Sequence, residues 1–337
     1  MKYKILSIVL GVALVGASVF FFFMYSSLKD ASSKKVGEES SRVIDMSSYE
    51  NNYGLINKTV VYDLGKHYII DFSELRETLF ALQKKYDFKT YIYFNYLNNG
   101  SWIGFNERDY FPAASLVKVP LAMSVMKSIE ENRLSLDQSY TLEDLDLDSN
   151  FGDLYERGSG WKFSVKDLMG IMLQQSDNTA RSALFNVLSR IGINDPLYEV
   201  YSALGWDYIA TIEPGENEYK TPDPNLYADI NLKLLSNMFI ALYNSSYLNL
   251  DNSQQLLKYL ALTPFNDKIR AGVPEDVIVS HKIGIASDKG TFSDCGIVYA
   301  PNRNYLLCLG ASGGSEVEAD KFMSEVSKEI YDYVIKN

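Results

Sequence analysis

The sequence predicts an α+β fold in which one antiparallel sheet, built from both ends of the chain, packs against flanking helices and a helical subdomain. Two β-branched and aromatic segments, TYIYFNY and SWIGFN, precede a long stretch of helical pattern, and three further predicted strands, VIVSHKIGI, FSDCGIVYA and NYLLCLGAS, follow it. The helical pattern runs from Ser115 to about Leu262. We expect a functional site in the cleft between the sheet and the helical part.

The first 30 residues differ in composition from the rest of the chain. Lys2 and Lys4 precede an apolar run from Ile5 to Tyr25, and roughly 20 apolar residues are enough for a helix to cross a bilayer. A cleavable signal has a shorter apolar region, of roughly 7 to 15 residues, and a small-residue cleavage pattern. We therefore predict a signal anchor over residues 1–30, with the remainder outside the cytoplasm. A cleaved signal and a secreted protein are the alternative.

Residues 31–57 are rich in Ser, Lys, Glu and Asn and have few large apolar side chains. Such a segment buries too little apolar surface to offset the entropy of ordering. We predict a flexible polar linker there and a single folded domain over residues 58–337, which we expect to be monomeric.

The elements of that domain follow from local patterns. Helical spacing of Leu75, Leu79, Phe80 and Leu82 predicts a first helix within residues 71–86. The sequence Leu-Asn-Asn-Gly at 97–100 predicts a hairpin turn between the first two strands, and residues 317–335 predict a closing amphipathic helix.

The only two cysteines, Cys295 and Cys308, flank a second predicted hairpin with its turn at residues 301–304. A disulfide outside the cell and a pair of small apolar core residues are both consistent with this placement.

Composition excludes several kinds of chemistry. The formal charge is −11 without a basic cluster in the predicted domain, so a nucleic-acid partner is disfavoured. His67 and His281 are the only histidines, and neither has a context typical of a catalytic base or a zinc ligand. There is no Gly-rich phosphate loop. An enzyme of this composition needs no metal or cofactor and would use a lysine or a carboxylate as its base.

Ser115 and Lys118 form the candidate nucleophile and base. They lie at the predicted start of an apolar helix, and an i, i+3 spacing places them on one face. A serine becomes nucleophilic when a neighbouring base takes its proton, and lysine serves as that base only if its pKa is lowered. Ser-x-x-Lys also occurs at four other places in the chain, so chance alone explains such a match.

Two further motifs support the assignment of Ser115 and Lys118 as nucleophile and base. Ser176-Asp177-Asn178 follows the helical pattern VKDLMGIMLQQ, although a polar helix cap is an alternative explanation for it. Lys282-Ile283-Gly284 lies within the predicted strand VSHKIGI. With these motifs in this order, residues 72–335 resemble the class A β-lactamases and related penicillin-interacting serine hydrolases.

The sequence departs from the family pattern at two places. Ile283 stands where the family has a Thr or Ser hydroxyl that helps to bind the substrate carboxylate. Losing a charge-assisted hydrogen bond costs about 1.5 to 3 kcal/mol. Glu213 and Asn217, in Glu-Pro-Gly-Glu-Asn, match the family's deacylation loop, but the loop is shorter than usual. A surface turn is the alternative for Glu213.

The resemblance implies a role for each matched residue in hydrolysis through an acyl-enzyme. Ser115 would be the nucleophile, with Lys118 or Glu213 as base, and Ser176 would relay a proton to the leaving nitrogen. The remaining predicted site residues would bind substrate: Asn178, Lys282, Gly284, Ile285, Phe151 and Asn217.

The resemblance leaves the substrate open. It is either a β-lactam or a peptidoglycan stem peptide, the latter cut by a D-alanyl-D-alanine carboxypeptidase or related wall-peptide hydrolase. A catalytically weakened module that binds the cell wall or a protein is the remaining alternative.

Overall fold

A computed structural model describes residues 71–205 and 229–337. Its strands, in chain order, are β1 (Lys89–Tyr96), β2 (Ser101–Phe105), β3 (Phe111–Pro112), β4 (Ser139–Thr141), β5 (Lys162–Ser164), β6 (Asp229–Ile230), β7 (Val279–Ala286), β8 (Thr291–Val298) and β9 (Tyr305–Ser312).

The α-helices of the same residues are α1 (Ser73–Gln83), α2 (Lys118–Glu130), α3 (Val165–Gln174), α4 (Asn178–Arg190), α5 (Pro196–Ala203), α6 (Leu232–Tyr243), α7 (Leu250–Ala261) and α8 (Glu316–Lys336).

One five-stranded antiparallel sheet has the order β2-β1-β9-β8-β7. Its central strand is β9, which pairs with β1 in register from Lys89 opposite Ser312 to Tyr96 opposite Tyr305. The predicted fold class is therefore confirmed, because strands from both ends of the domain form a single sheet. The two-stranded ribbons β3-β6 and β4-β5 were not predicted, since each strand is too short to show an alternating pattern.

Both faces of the sheet are covered, because successive side chains on a strand point to opposite sides. On β1, Ile92 and Phe94 pack in the cluster that contains the buried residues of α1 and α8. Tyr93 lies on the other face, in the larger cluster shared with the helical part. Helices α6 and α7 contact the sheet directly on this second side.

Helix α2 runs through the helical part, with ten of its thirteen residues buried. Its nearly continuous apolar sequence agrees with this, since a helix that is apolar all round is a buried one. Pro120 occupies the first turn, where a missing backbone N–H costs little. The catalytic candidates at its start therefore rest on one of the most enclosed elements of the described structure.

One local expectation differs from the structure. Phe80, counted among the apolar face of the first helix, is 46% exposed, and Lys84 Nζ lies 3.9 Å from its ring centroid.

Cys295 and Cys308 are buried in the larger core cluster and also disulfide-bonded. No helix in residues 71–205 or 229–337 is long and apolar enough to cross a membrane. The predicted anchor and linker lie outside the described residues.

Candidate active site

Ser115 lies in a 3₁₀ turn, Ala114–Val117, that leads directly into α2. Ala114 has a left-handed backbone, with φ of 46°. A non-glycine residue pays a conformational cost in this region, and such residues concentrate at functional sites. The turn leaves Ser115 partly accessible on the wall of a cleft of about 200 Å³.

Lys118 is fully buried one turn after Ser115. Its Nζ lies 3.0 Å from Ser115 Oγ and 2.8 Å from Asn178 Oδ1. It also contacts Ser176, at the backbone oxygen and, at 3.3 Å, at Oγ. Burial, the neighbouring Lys282 cation and Arg181 together lower the pKa of Lys118 to about 6. At neutral pH the amine is therefore mostly uncharged and has a lone pair available next to the serine hydroxyl.

Ser176 occupies the turn between α3 and α4, again with a left-handed φ of 58°. Asp177 caps α4, because its Oδ1 accepts from Ala180 N at 2.8 Å. Its Oδ2 accepts from Leu154 N at 2.9 Å. The helix-cap explanation of this motif thus holds for Asp177, while Ser176 and Asn178 on either side reach Lys118.

Gly152 permits the close approach of its loop to Asp177. Its φ is +89°, and a Cβ at this position would lie 2.1 Å from Asp177 Oδ2. The same loop carries Phe151, whose backbone oxygen accepts from Asn178 N at 2.9 Å. Phe151 lines the cleft and its ring packs 6.0 Å from that of Phe265. The loop and the Ser176 turn are therefore held together by backbone contacts.

Strand β7 supplies the opposite wall. Lys282 is buried and its Nζ donates to Ser176 Oγ at 2.7 Å. Burial lowers the pKa of Lys282 to about 7, although Asp294 on the adjacent strand favours the charged form. Ile283 and Ile285 both line the cleft.

Gly284 lets β7 approach the nucleophile turn. A Cβ there would lie 2.6 Å from Ser293 Oγ, 3.0 Å from Leu116 Cγ and 3.1 Å from Ala113 O. Separations below about 3 Å force a shift of the surrounding atoms. The glycine therefore sets the distance between the strand and the Ser115 turn.

The structure brings together Ser115, Lys118, Phe151, Ser176, Asn178, Lys282, Gly284 and Ile285. Glu213 and Asn217 lie outside the described residues.

Sequence reasoning missed Arg181, which lines the cleft, pairs with Asp148 at 3.3 Å and helps to lower the pKa of Lys118. Its position on α4, three residues after Asn178, was the available signal, because such residues share a helix face.

A second buried pair lies beside the β7 wall. His281 Nδ1 is 2.8 Å from Asp294 Oδ1, and both residues are almost fully buried. Asp294 Oδ2 also accepts from Ile269 N at 3.1 Å. Sequence reasoning had dismissed His281 as a catalytic base, and the structure places it one residue before Lys282, paired with the carboxylate that favours the charge on that lysine.

Comparison with known proteins gives the family. Residues 74–334 match the model described as the Beta-lactamase enzyme family. The chain is 24% identical over 261 residues to Beta-lactamase SME-1 of Serratia marcescens, covering 73% of this chain and 84% of that protein. It is 28% identical over 249 residues to an imipenem-hydrolyzing beta-lactamase of Enterobacter cloacae, covering 69% and 80%.

Solved structures share the fold. PBP-A superposes with a TM-score of 0.67 at 19% identity, covering 79% of this chain and 97% of that one. A beta-lactamase from Sphaerobacter thermophilus gives 0.67 at 18% identity, covering 80% and 99%. The match to the family model spans most of the chain and includes every catalytic motif described above. This protein therefore belongs to the Beta-lactamase enzyme family and is a serine hydrolase of the β-lactamase type.

Proposed function

We propose that this protein hydrolyses β-lactams through an acyl-enzyme formed on Ser115. One observation carries the proposal: the amine of Lys118, with its pKa lowered to about 6, lies 3.0 Å from Ser115 Oγ. A mostly neutral amine at hydrogen-bond distance from a hydroxyl is the arrangement that general-base activation of a serine requires.

Acylation follows from the same geometry. Ser115 Oγ attacks the lactam carbonyl carbon and forms a C–O bond, while its proton passes to Lys118 or, through a water molecule, to Glu213. The carbonyl electrons move to the oxygen, which the backbone N–H groups of Ser115 and Ile285 stabilise. The C–N bond then breaks, and Ser176 delivers its proton to the leaving nitrogen. Lys118, whose Nζ lies 3.3 Å from Ser176 Oγ, passes a proton to that oxygen in turn, so that the proton lost by Ser115 ends on the nitrogen.

Lys282 serves this last step. Its Nζ donates to Ser176 Oγ, so a charged ammonium there makes the hydroxyl proton easier to release. The same charge attracts the substrate carboxylate, while Asn178 holds the amide of the acyl side chain and Phe151 forms an apolar wall. In this scheme Lys118 is the base for Ser115. Lys282 is the electrostatic partner of Ser176, whose hydroxyl both lysines approach.

For deacylation we propose that Glu213 activates the water that releases the acyl group, with Asn217 holding that water. Glu213→Gln is expected to leave covalent labelling unchanged and to slow release of product. Glu216→Gln, three residues along the same segment, is the control with an equal change of charge. Equal release rates in both variants would remove Glu213 from the mechanism.

A wall-peptide hydrolase of the D-alanyl-D-alanine carboxypeptidase type is the second candidate. Ile283 favours it, because a buried isoleucine replaces the hydroxyl by which the family grips the lactam carboxylate. Similarity to PBP-A adds support, since a PBP-A mutant was solved as an acyl-enzyme complex with penicillin-G. The lifetime of the penicillin adduct separates the candidates, because a peptidase keeps the adduct and a lactamase clears it.

The test is a time course of the detergent-solubilised full chain with a fluorescent penicillin, following both adduct and product. An adduct that forms and clears with steady product supports the lactamase; an adduct that persists supports the peptidase. Ser115→Ala should abolish labelling. Ser124 begins another Ser-x-x-Lys sequence, on helix α2, so Ser124→Ala is the matched control and should retain labelling. Absence of any adduct with wild type would favour a binding module.

We also propose that residues 1–30 anchor the protein in the membrane with its hydrolase domain outside the cytoplasm. The uncharged apolar run after Lys2 and Lys4 supports this. Protease added to intact cells should degrade the domain but leave a cytoplasmic control protein whole. Recovery of the protein in the culture medium would instead indicate a cleaved signal.

A further inference from the structure

Arg181 is the one charged side chain among the described residues that line the catalytic cleft. Lys118 and Lys282 are almost completely buried behind the surface of that cleft, whereas the side chain of Arg181 is 32% exposed. The protein as a whole carries a formal charge of −11. A cation that faces the cleft of an acidic protein attracts an anionic part of the substrate to that point.

A larger cavity of about 920 Å³ adjoins the cleft. Ala114, Arg181 and Ile285 line both spaces, so Arg181 lies where the two meet. Helix α4 continues along the larger cavity, which Phe185 and Asn186 line about one turn beyond Arg181. A substrate group that extends past Arg181 therefore has room for a bulky continuation.

Helix α4 gives the direction from the scissile bond to Arg181. Ser176 lies in the turn before the helix, Asn178 is its first residue, and Arg181 follows three residues later. In the mechanism proposed above, Ser176 serves the leaving nitrogen and Asn178 holds the amide of the acyl side chain. Arg181 shares the helix face of Asn178 and lies about 4.5 Å further along the axis. It is therefore placed to contact the acyl part of the substrate beyond that amide, and not the leaving group.

The ion pair with Asp148 leaves much of the guanidinium available. Arg181 Nη2 donates to Asp148 Oδ2 at 3.3 Å, a single contact. Asp148 Oδ1 instead accepts from the backbone N and the side-chain Nδ2 of Asn150, at 2.9 Å and 2.8 Å. Arginine presents several N–H donors in a planar fork, and within residues 71–205 and 229–337 only this one is used. The guanidinium can therefore bind a second carboxylate while Asp148 holds one of its corners.

The other charged residues of the larger cavity do not extend into the cleft. Asp288 and Lys289 are neighbours in the exposed turn after β7, so their opposite charges offset one another. Asp195 caps α5, and its Oδ1 accepts from Tyr198 N at 3.1 Å. None of the three lines the catalytic cleft. The preference for an anion is therefore local to Arg181.

We propose that Arg181 is a specificity-determining residue that binds a carboxylate in the acyl part of the substrate, one turn of α4 beyond the amide held by Asn178. The preferred substrates are then β-lactams or wall peptides whose acyl side chain is anionic. The rest of that side chain would occupy the adjoining cavity. This inference rests on the proposed function, because the role of Asn178 defines which side of the scissile bond faces Arg181.

Two penicillins that differ by one carboxylate test the inference. Benzylpenicillin and its α-carboxy derivative share the ring system, the ring carboxylate and the phenyl group. Their second-order acylation rates are measured on the detergent-solubilised full chain by competition with a fluorescent penicillin. In Arg181→Gln the ratio of the carboxylated to the parent rate should fall about tenfold, because a charge-assisted hydrogen bond is lost. In wild type the ratio should also fall as salt is added. An unchanged ratio in Arg181→Gln would overturn the proposal.

The ratio cancels effects that both penicillins share. Loss of the Arg181 charge also raises the pKa of Lys118, which slows acylation by either compound alike. Arg181→Lys keeps a cation and should retain part of the preference. Arg190→Gln removes the same charge at the exposed last residue of α4 and should keep the wild-type ratio. A comparable fall in this control would show that net charge, and not contact with Arg181, sets the ratio.

Equilibrium binding to a chain that cannot be acylated separates this inference from the proposed function. In the Ser115→Ala background, calorimetry should show that Arg181→Gln weakens binding of the α-carboxy derivative about tenfold more than binding of benzylpenicillin. That result without any adduct on wild type would refute the hydrolase scheme and uphold the carboxylate site. Adduct formation without such a difference in binding would do the reverse.

Peptides identify the source of the carboxylate. Two peptides ending in D-alanyl-D-alanine, with one side-chain carboxylate free or amidated, compete with the fluorescent penicillin. Weaker competition by the amidated peptide, with the difference lost in Arg181→Gln, assigns the carboxylate to a wall peptide. A preference confined to the penicillins assigns it to a lactam side chain. Either result supports the site at Arg181, and absence of a preference in both series would remove it.

Discussion

Lys118 and Lys282 approach one and the same oxygen, Ser176 Oγ, at 3.3 Å and 2.7 Å. Each amine is buried, and the charge of Lys282 helps to lower the pKa of Lys118. Because the pKa of Lys118 is lowered to about 6 and that of Lys282 to about 7, Lys118 is mostly neutral and Lys282 mostly charged between these two pH values. This division of charge is what the proposed mechanism needs: a neutral amine beside Ser115 Oγ to take its proton, and a cation beside Ser176 Oγ to favour release of a proton.

The pH dependence of acylation should be bell-shaped. The rate should rise as Lys118 loses its proton through about pH 6 and fall as Lys282 loses its own through about pH 7. In Lys282→Arg the alkaline limb should move out of the measured range, because arginine stays charged. The measurement is kcat/KM for a chromogenic cephalosporin across this range. An alkaline limb at the same pH in both proteins would contradict the assignment.

Lys282→Met should stabilise the fold while it abolishes activity. The folded pKa of Lys282, about 7, lies below the ordinary lysine value of 10.5, so between these values the unfolded chain binds more protons and wild-type stability rises with pH. The gain from Lys282→Met should be on the order of a few kcal/mol at about pH 6 and shrink toward pH 10.

Urea unfolding at the two ends of that range checks the gain. Lys289→Met, at an exposed lysine on the adjoining turn, is the control and should change little. A gain for Lys282→Met that stays the same from acid to alkaline pH would show that its cause is packing rather than the buried charge.

Ile283→Thr should strengthen the grip on β-lactam carboxylates. The side chain lines the cleft, and a hydroxyl there supplies a hydrogen bond to a charged group worth about 1.5 to 3 kcal/mol. Acylation efficiency should rise roughly tenfold to a hundredfold. Ile283→Val removes the same bulk without adding a hydroxyl, so a comparable rise in that variant would assign the effect to space alone.

Gly284→Ala should damage both stability and acylation. Its Cβ would overlap Ser293 Oγ and press on Leu116 and Ala113, which costs about 1 to 3 kcal/mol when a packed interior must shift. Because the displaced atoms flank Ser115, labelling by penicillin should slow about tenfold or more. Thermal unfolding and the labelling rate together test this. A variant that unfolds earlier yet labels at the wild-type rate would show that β7 does not position the nucleophile.

Much of this architecture could be predicted from local patterns. The aromatic and β-branched residues of β1 and the apolar run of β9 indicated strands, and the i, i+3 spacing of Ser115 and Lys118 predicted their contact. The left-handed backbone at Ala114 and Ser176 could not be predicted, because alanine and serine carry no signal for it as glycine does. Phe80 was misplaced since its exposure depends on Lys84 and Phe105, which pack near its ring.

Arg181 was missed for a different reason. Its spacing from Asn178 places it on the same helix face, but that this face meets the cleft depends on the packing of α4 against the Ser115 turn and β7. The influence of the buried Asp294 on Lys282 likewise depends on strand register, which places Asp294 opposite Ile283 and beside His281. Such contacts join distant segments, and no local pattern encodes them.

The pairing of β1 with β9 also determines at what stage of synthesis the catalytic site can form. Among the described strands, β1 pairs with β2 and with β9, the last strand of the sheet in chain order, so the sheet stays incomplete until β9 has been synthesised. Proteins dominated by such distant pairings fold slowly. A chain still emerging from the ribosome would therefore hold its nucleophile turn without the strand that carries Lys282. We therefore expect Ser115 to become reactive only after β7 has joined the sheet.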